Sequence, residues 1–182
     1  MSTRILLIIL ISLFSGLVAQ AATIPQRDHL TPQEVDLVKE AQLLDKRIDV
    51  FIRAAERRMI VINGSAAANA KQLKKDAERW GELPAGSRTE LINDIGHILD
   101  EAITNIDNVA EHDERNPLIA KSLRRLAAAA NSIIDQLKPL SAGAKSEGEI
   151  ASFEQLNEGV QLIREAAGKL PPEVVEKKAK KN

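Results

Sequence analysis

The chain contains no cysteine and no tyrosine, one tryptophan, three phenylalanines and three histidines in 182 residues. Without cysteine there is no disulfide, no thiolate nucleophile, no cysteine-ligated metal and no lipid-modified cysteine of a bacterial lipoprotein. Stability must come from apolar packing. Past the first segment the only aromatics are Phe51, Trp80 and Phe153. Bases and sugar rings need aromatic stacking faces, so nucleic-acid and carbohydrate grooves are unsupported. A formal net charge of −1 gives no global field towards nucleic acid or an anionic membrane. There is no Gly-x-Ser-x-Gly, no His-Glu-x-x-His, no glycine-rich phosphate loop and no Cys-x-x-Cys-His for haem. No catalytic residue and no cofactor are expected.

What is present starts with an address. Arg4 gives a positive start, Ile5 to Val18 is a nearly unbroken apolar run, and Ala19-Gln20-Ala21 is a small-x-small cleavage site. Residues 1–21 therefore read as an export signal, and the mature chain begins at Ala22. A membrane anchor needs roughly 20 apolar residues; the run here is shorter and contains Ser12, Ser15 and Gly16. No stable membrane insertion is expected after cleavage. The expected location is periplasmic or secreted.

Beyond a flexible start at residues 22–30, the pattern is helical throughout. Thr31-Pro32-Gln33-Glu34 is a capping box with proline at the first helical position. Val35, Val38, Ala41, Leu44, Ile48, Phe51, Ala55, Met59 and Ile62 then recur at helical spacing. The reading is one rod of about 45 Å, stopped at Asn63-Gly64; that stop, rather than glycosylation, explains Asn63-Gly64-Ser65. Ala66 to Trp80 forms a short extra helix over one end of the bundle, anchored by Trp80 and Leu83 and broken by Gly81 and Pro84. A second long helix follows the capping box Ser87 to Glu90, with Leu91, Ile95, Ile98, Ala102 and Ile106 on its stripe. A third runs from Asn116-Pro117 to Pro139, and a fourth follows a capping box at Ser146 to Glu149. The sum is an all-α antiparallel four-helix bundle over residues 31–170, with a short extra helix between helices 1 and 2. Residues 171–182 read as a basic disordered tail.

Residues 89–114 carry eight acids and no lysine or arginine, whereas 117–138 carry four bases against Asp135. The short link between these helices brings Asp107 and Glu111 within reach of Lys121, Arg124 or Arg125, a charge seam that sets pairing.

The densest set of metal-ligating side chains is Glu111, His112, Asp113 and Glu114, at a helix end where the macrodipole disfavours negative charge. The run lacks the alternating oxygen ligands and glycine of a calcium loop. Asp94-x-x-His97 has half the pattern of a di-iron carboxylate bundle, but Glu90, Asp94, His97 and Glu101 lie opposite Ile95, Ile98 and Ile106 and should face water. Met59 with His97 or His112 would be the haem pair, yet Met59 lies on the apolar stripe and the histidines on polar faces.

Leu30-Thr31-Pro32-Gln33-Glu34 resembles the Leu-Thr-x-x-Gln motif of periplasmic stress chaperones and metal sensors, with the glutamine one place early. Lys46 to Arg58, Lys74 to Arg88 and Asp100 to Pro117 resemble uncharacterised exported helical proteins of acidobacterial type. That resemblance implies an exported helical domain and brings no activity with it. The expected role is non-enzymatic: binding or structural association, with a protein of the cell envelope as partner. A small-ligand or metal-binding carrier is the alternative.

Overall fold

The computed structural model describes residues 28–172. They form six helices: α1 (Pro32–Glu40), α2 (Leu44–Ile62), α3 (Ala70–Trp80), α4 (Arg88–His112), α5 (Pro117–Ser141) and α6 (Glu147–Gly168). The expected export signal, the start of the expected mature chain to residue 27, and the expected tail beyond Pro172 lie outside the described residues. No strand occurs among the described residues, and the all-α expectation holds.

Local chemistry sets most boundaries. Thr31 and Ser87 each open a helix with a complete capping box, through Glu34 and Glu90. Asn116 accepts from the Leu118 amide ahead of Pro117. Gly64, at φ +61°, turns the chain out of α2 in a backbone region that side chains with a Cβ avoid. At Ser146 only half the expected box forms. Its hydroxyl accepts the Glu149 amide, while the Glu149 carboxylate meets Arg88 of α4 at 3.2 Å. α5 also runs past Pro139 to Ser141; Leu140 packs on the core and holds that last turn.

The single rod expected over residues 32–62 is broken. α1 ends at Ala41 (ψ 90°), and α2 restarts after Leu43, so that α1 doubles back along α2. Ala41, Gln42 and Leu43 are not helix breakers, so the cause is tertiary. Arg47 Nε donates to the Ala41 carbonyl at 3.1 Å and Gln42 Nε2 to the Lys39 carbonyl at 3.1 Å, satisfying groups a helix end leaves open. The reversal also turns Glu34 and Leu37 inward. The flexible start expected to residue 30 fails at its end, because Leu30 is buried in the core.

α2, α4, α5 and α6 supply most of the core, including Ile48, Phe51, Ile92, Ile95, Leu126, Ile133, Leu156 and Val160. α2 packs on α4 and α5, α6 packs on the same two, and α4 meets α5 across the middle. Cross-links give the directions. Arg47 meets Asn105 and Arg58 meets Asp94, so α2 and α4 run oppositely. Lys121 meets Asp45 and Arg125 meets Asp49, so α2 and α5 run the same way. α4 and α5 therefore run oppositely, and α2 has a like-directed neighbour in α5.

Candidate functional site

Five charged side chains that composition would place at the surface lie inside, Glu34, Asp45, Arg57, Arg58 and Asp94, and all but Asp45 are linked in one group. Glu34 is fully buried and works at both ends of its carboxylate. Its Oε2 accepts the Thr31 amide at 2.9 Å, and its Oε1 accepts Arg57 Nε at 3.2 Å and Arg58 Nη1 at 2.7 Å. Asp94 Oδ2 lies 3.8 Å from Arg58 Nε. Two buried cations thus face two buried anions, which is the condition under which such charges can be buried at all. Burial pulls the Arg57 guanidinium below its ordinary pKa, and Glu34 opposes that pull.

The two arginines reach in different directions. Arg58 Nη2 donates to the His29 carbonyl at 2.5 Å and Nη1 to Ala54 at 2.9 Å, which ties down the entry to α1. Arg57 Nη2 donates to the carbonyls of Trp80, Gly81 and Glu82 at 3.1, 3.2 and 2.5 Å. Its guanidinium also lies 5.6 Å from the centre of the Trp80 ring, within cation–π range. The α3 end was expected to be anchored by Trp80 and Leu83. Trp80 does pack on the core, but Pro84 is the buried side chain and Arg57 holds the backbone. Gly81, at φ +64°, sits against Gln33, whose Cδ would be 3.0 Å from an added Cβ.

This clamp builds one wall of a cleft of about 530 Å³, lined by Glu40, Ala41, Gln42, Leu43, Lys46, Asp49, Val50, Arg79 and Trp80. Ala41, Leu43, Val50 and Trp80 give its lining an apolar part, and Glu40, Lys46, Asp49 and Arg79 bring charge of both signs. Leu43, at the elbow, is 57% exposed, unusual for a leucine beside an aromatic wall.

A second grouping lies where the entry segment meets α4. His29 Nε2 is 2.8 Å from Glu101 Oε2, and the His29 and His97 ring centres are 5.7 Å apart. Of the residues expected to face water on α4, His97 does so and Asp94 does not; Arg58 is the reason.

The sequence-picked cluster is not brought together. Glu111, His112, Asp113 and Glu114 are all exposed, Asp113 caps α4, and His112 Nδ1 is 2.7 Å from the Asn108 carbonyl. Among the described residues no group of three or more histidine, aspartate and glutamate side chains is placed as it stands to hold a metal ion. Met59 is buried in the core, apart from any histidine pairing expected for haem.

The charge seam is also redirected. Lys121 pairs with Asp45 at 2.6 Å and Arg125 with Asp49 at 2.5 Å, both on α2, while Arg124 donates to the Pro171 carbonyl. The α5 bases thus serve α2 rather than α4. The Lys121 hydrogen bond holds the Asp45 carboxyl below its ordinary pKa, against the opposing effect of burial.

No protein-family model matches the chain, and neither the curated proteins nor the solved structures contain a match to it.

Proposed function

We propose that this chain is an exported helical bundle that works by binding in the cell envelope, and that it binds a protein segment in the cleft at the α1–α2 elbow. The observation that carries the reading is the cleft itself, where Leu43 is presented to solvent beside the chain's one tryptophan, among charges of both signs. Apolar anchors ringed by mixed charge are the usual make-up of a protein-binding patch. The buried Glu34, Arg57 and Arg58 support it by fixing both sides of the cleft in advance, and pre-organisation lowers the cost of binding. The apolar run ahead of Ala19-Gln20-Ala21 supports export.

Two measurements test this. Intact mass of protein recovered from the periplasm or medium should show a chain beginning at Ala22. Recovery only as a membrane-held, full-length chain would overturn export. A photo-crosslinker at Lys46 should give a discrete envelope-protein adduct, and one at Lys138, across the bundle, should not. Identical adducts from both positions, or none from Lys46, would overturn the cleft.

A further inference from the structure

A groove of about 300 Å³ runs between α4 and α6, on a different part of the bundle from the elbow cleft. Leu99, Leu156, Val160 and Leu162 give its lining an apolar part, and Leu162 is 67% exposed. Gly96 and Gly159 also line it, and a Cβ added at either meets nothing within 4 Å, so neither helix fills the space beside its glycine. Its charge is of one sign. Asp100 and Glu158 are both exposed, neither has an ion-pair partner among the described residues, and no lysine or arginine lines the groove.

The chain enters the described fold beside this groove. His97 lines it, and the His29 ring centre lies 5.7 Å from that of His97. His29 is fixed in place, with Nε2 2.8 Å from Glu101 and its carbonyl held by Arg58. Residues 22–27 therefore start from a set point on α4. They read Ala-Thr-Ile-Pro-Gln-Arg: one large apolar side chain, one cation and no acid. Six residues reach roughly 20 Å when extended, whereas Gly96 to Asp100 covers only about 6 Å of helix.

We propose that residues 22–27 fold back into the α4–α6 groove, with Ile24 against Leu99 and Leu162 and Arg27 turned to Asp100 and Glu158. Pro25 favours extended backbone at Ile24, which suits a segment lying along a groove. Other occupants fit less well. A second copy seated symmetrically would bring the same unpaired acids together. The chain beyond Pro172 starts from the α5 side, where Arg124 holds the Pro171 carbonyl. Where the segment begins rests on the export reading, but a chain that kept its leader would still carry Ile24 and Arg27.

Because the chain has no cysteine, a single engineered disulfide can report the docking. In protein purified after expression of the whole chain, Thr23→Cys with Gly159→Cys should close within one chain under mild oxidation, read by intact mass. It should do so about fivefold or more faster than Thr23→Cys with Thr104→Cys, as a raised local concentration requires. Thr104 is exposed on α4, close to Glu101 in sequence, and does not line the groove. Adding Ile24→Ser, or Asp100→Asn with Glu158→Gln, should slow the Gly159 reaction. Circular dichroism checks the fold, and Gln155→Cys, exposed on the same groove, replaces Gly159→Cys if that variant does not fold. Equal rates at Gly159 and Thr104, rates unmoved by both added changes, or disulfides formed mainly between chains, as a second copy in the groove would give, would each overturn the docking. Failure here leaves the Lys46 adduct and the Ala22 terminus untouched, and failure of either leaves this comparison of rates untouched.

Discussion

Glu34 joins a helix start to the interior. One of its oxygens closes the capping box at Thr31, and the other takes both guanidiniums. Glu34→Ala would leave two buried cations short of an anion, at a cost of about 3–5 kcal/mol. Lys138→Ala removes only the exposed, solvent-screened pair with Asp135, so its loss should be far smaller. Urea unfolding followed by Trp80 fluorescence compares them, and similar losses would show that the buried pairing does not hold α1. Asp45 gives a pH test. Its folded pKa lies below its unfolded value, so its contribution is present above the ordinary aspartate pKa and is lost as pH falls through the folded one. Wild type should therefore lose more stability than Lys121→Met between about pH 5 and pH 3. At this scale the sequence was least legible. Nothing local in the sequence marks Arg57 and Arg58 for burial, and Asp94 read as a water-facing acid, because charged residues are rarely buried unless paired. Only the fold supplies the partners, from 23 positions away for Glu34–Arg57 and 36 for Arg58–Asp94.

At the scale of elements, helix starts could be read because a cap is written in four consecutive residues, as at Thr31–Glu34 and Ser87–Glu90. The break at Ala41–Leu43 could not. Its carbonyl acceptors are satisfied by Arg47 and Gln42, and neither residue carries a local stop signal. Leu43 occupies an N-cap with extended backbone and no side-chain hydrogen bond. Leu43→Ser should therefore stabilise the fold by about 1 kcal/mol while reducing the Lys46 adduct. A stabler variant with undiminished adduct would separate Leu43 from binding. Gly96 and Gly159 lie inside α4 and α6, and a Cβ added at either meets nothing within 4 Å. Each change to alanine should add about 0.5–1 kcal/mol, measured as a higher urea midpoint.

For the whole molecule, the all-helical class and the apolar faces were visible in the periodicity of residues such as Ile92, Ile95 and Ile106, all buried. Which helices become neighbours was not. Periodicity marks a face as apolar without saying what covers it, and chain proximity suggested that α5 would pair its bases with α4. Instead Lys121 and Arg125 reach α2. Arg125→Glu should then lower the melting temperature more at low salt than at high salt, since it places like charge beside Asp49. Equal losses at both ionic strengths would argue against that contact.

The clamp of Arg57 on the carbonyls of Trp80 to Glu82 has a kinetic consequence. α3 has no buried residue of its own, so little apolar area resists its lifting away. Its attachment rests on long side chains from α2, Arg57 at one end and Arg53 on Asp76 along its length. Such an element opens by itself, below the cost of global unfolding. Amide hydrogen exchange should run through α3 well ahead of α4 and α5, and faster still in Arg57→Ala. In that variant Trp80 would loosen with it, so the wall of the elbow that it forms is held in place by the guanidiniums of Arg57 and Arg53.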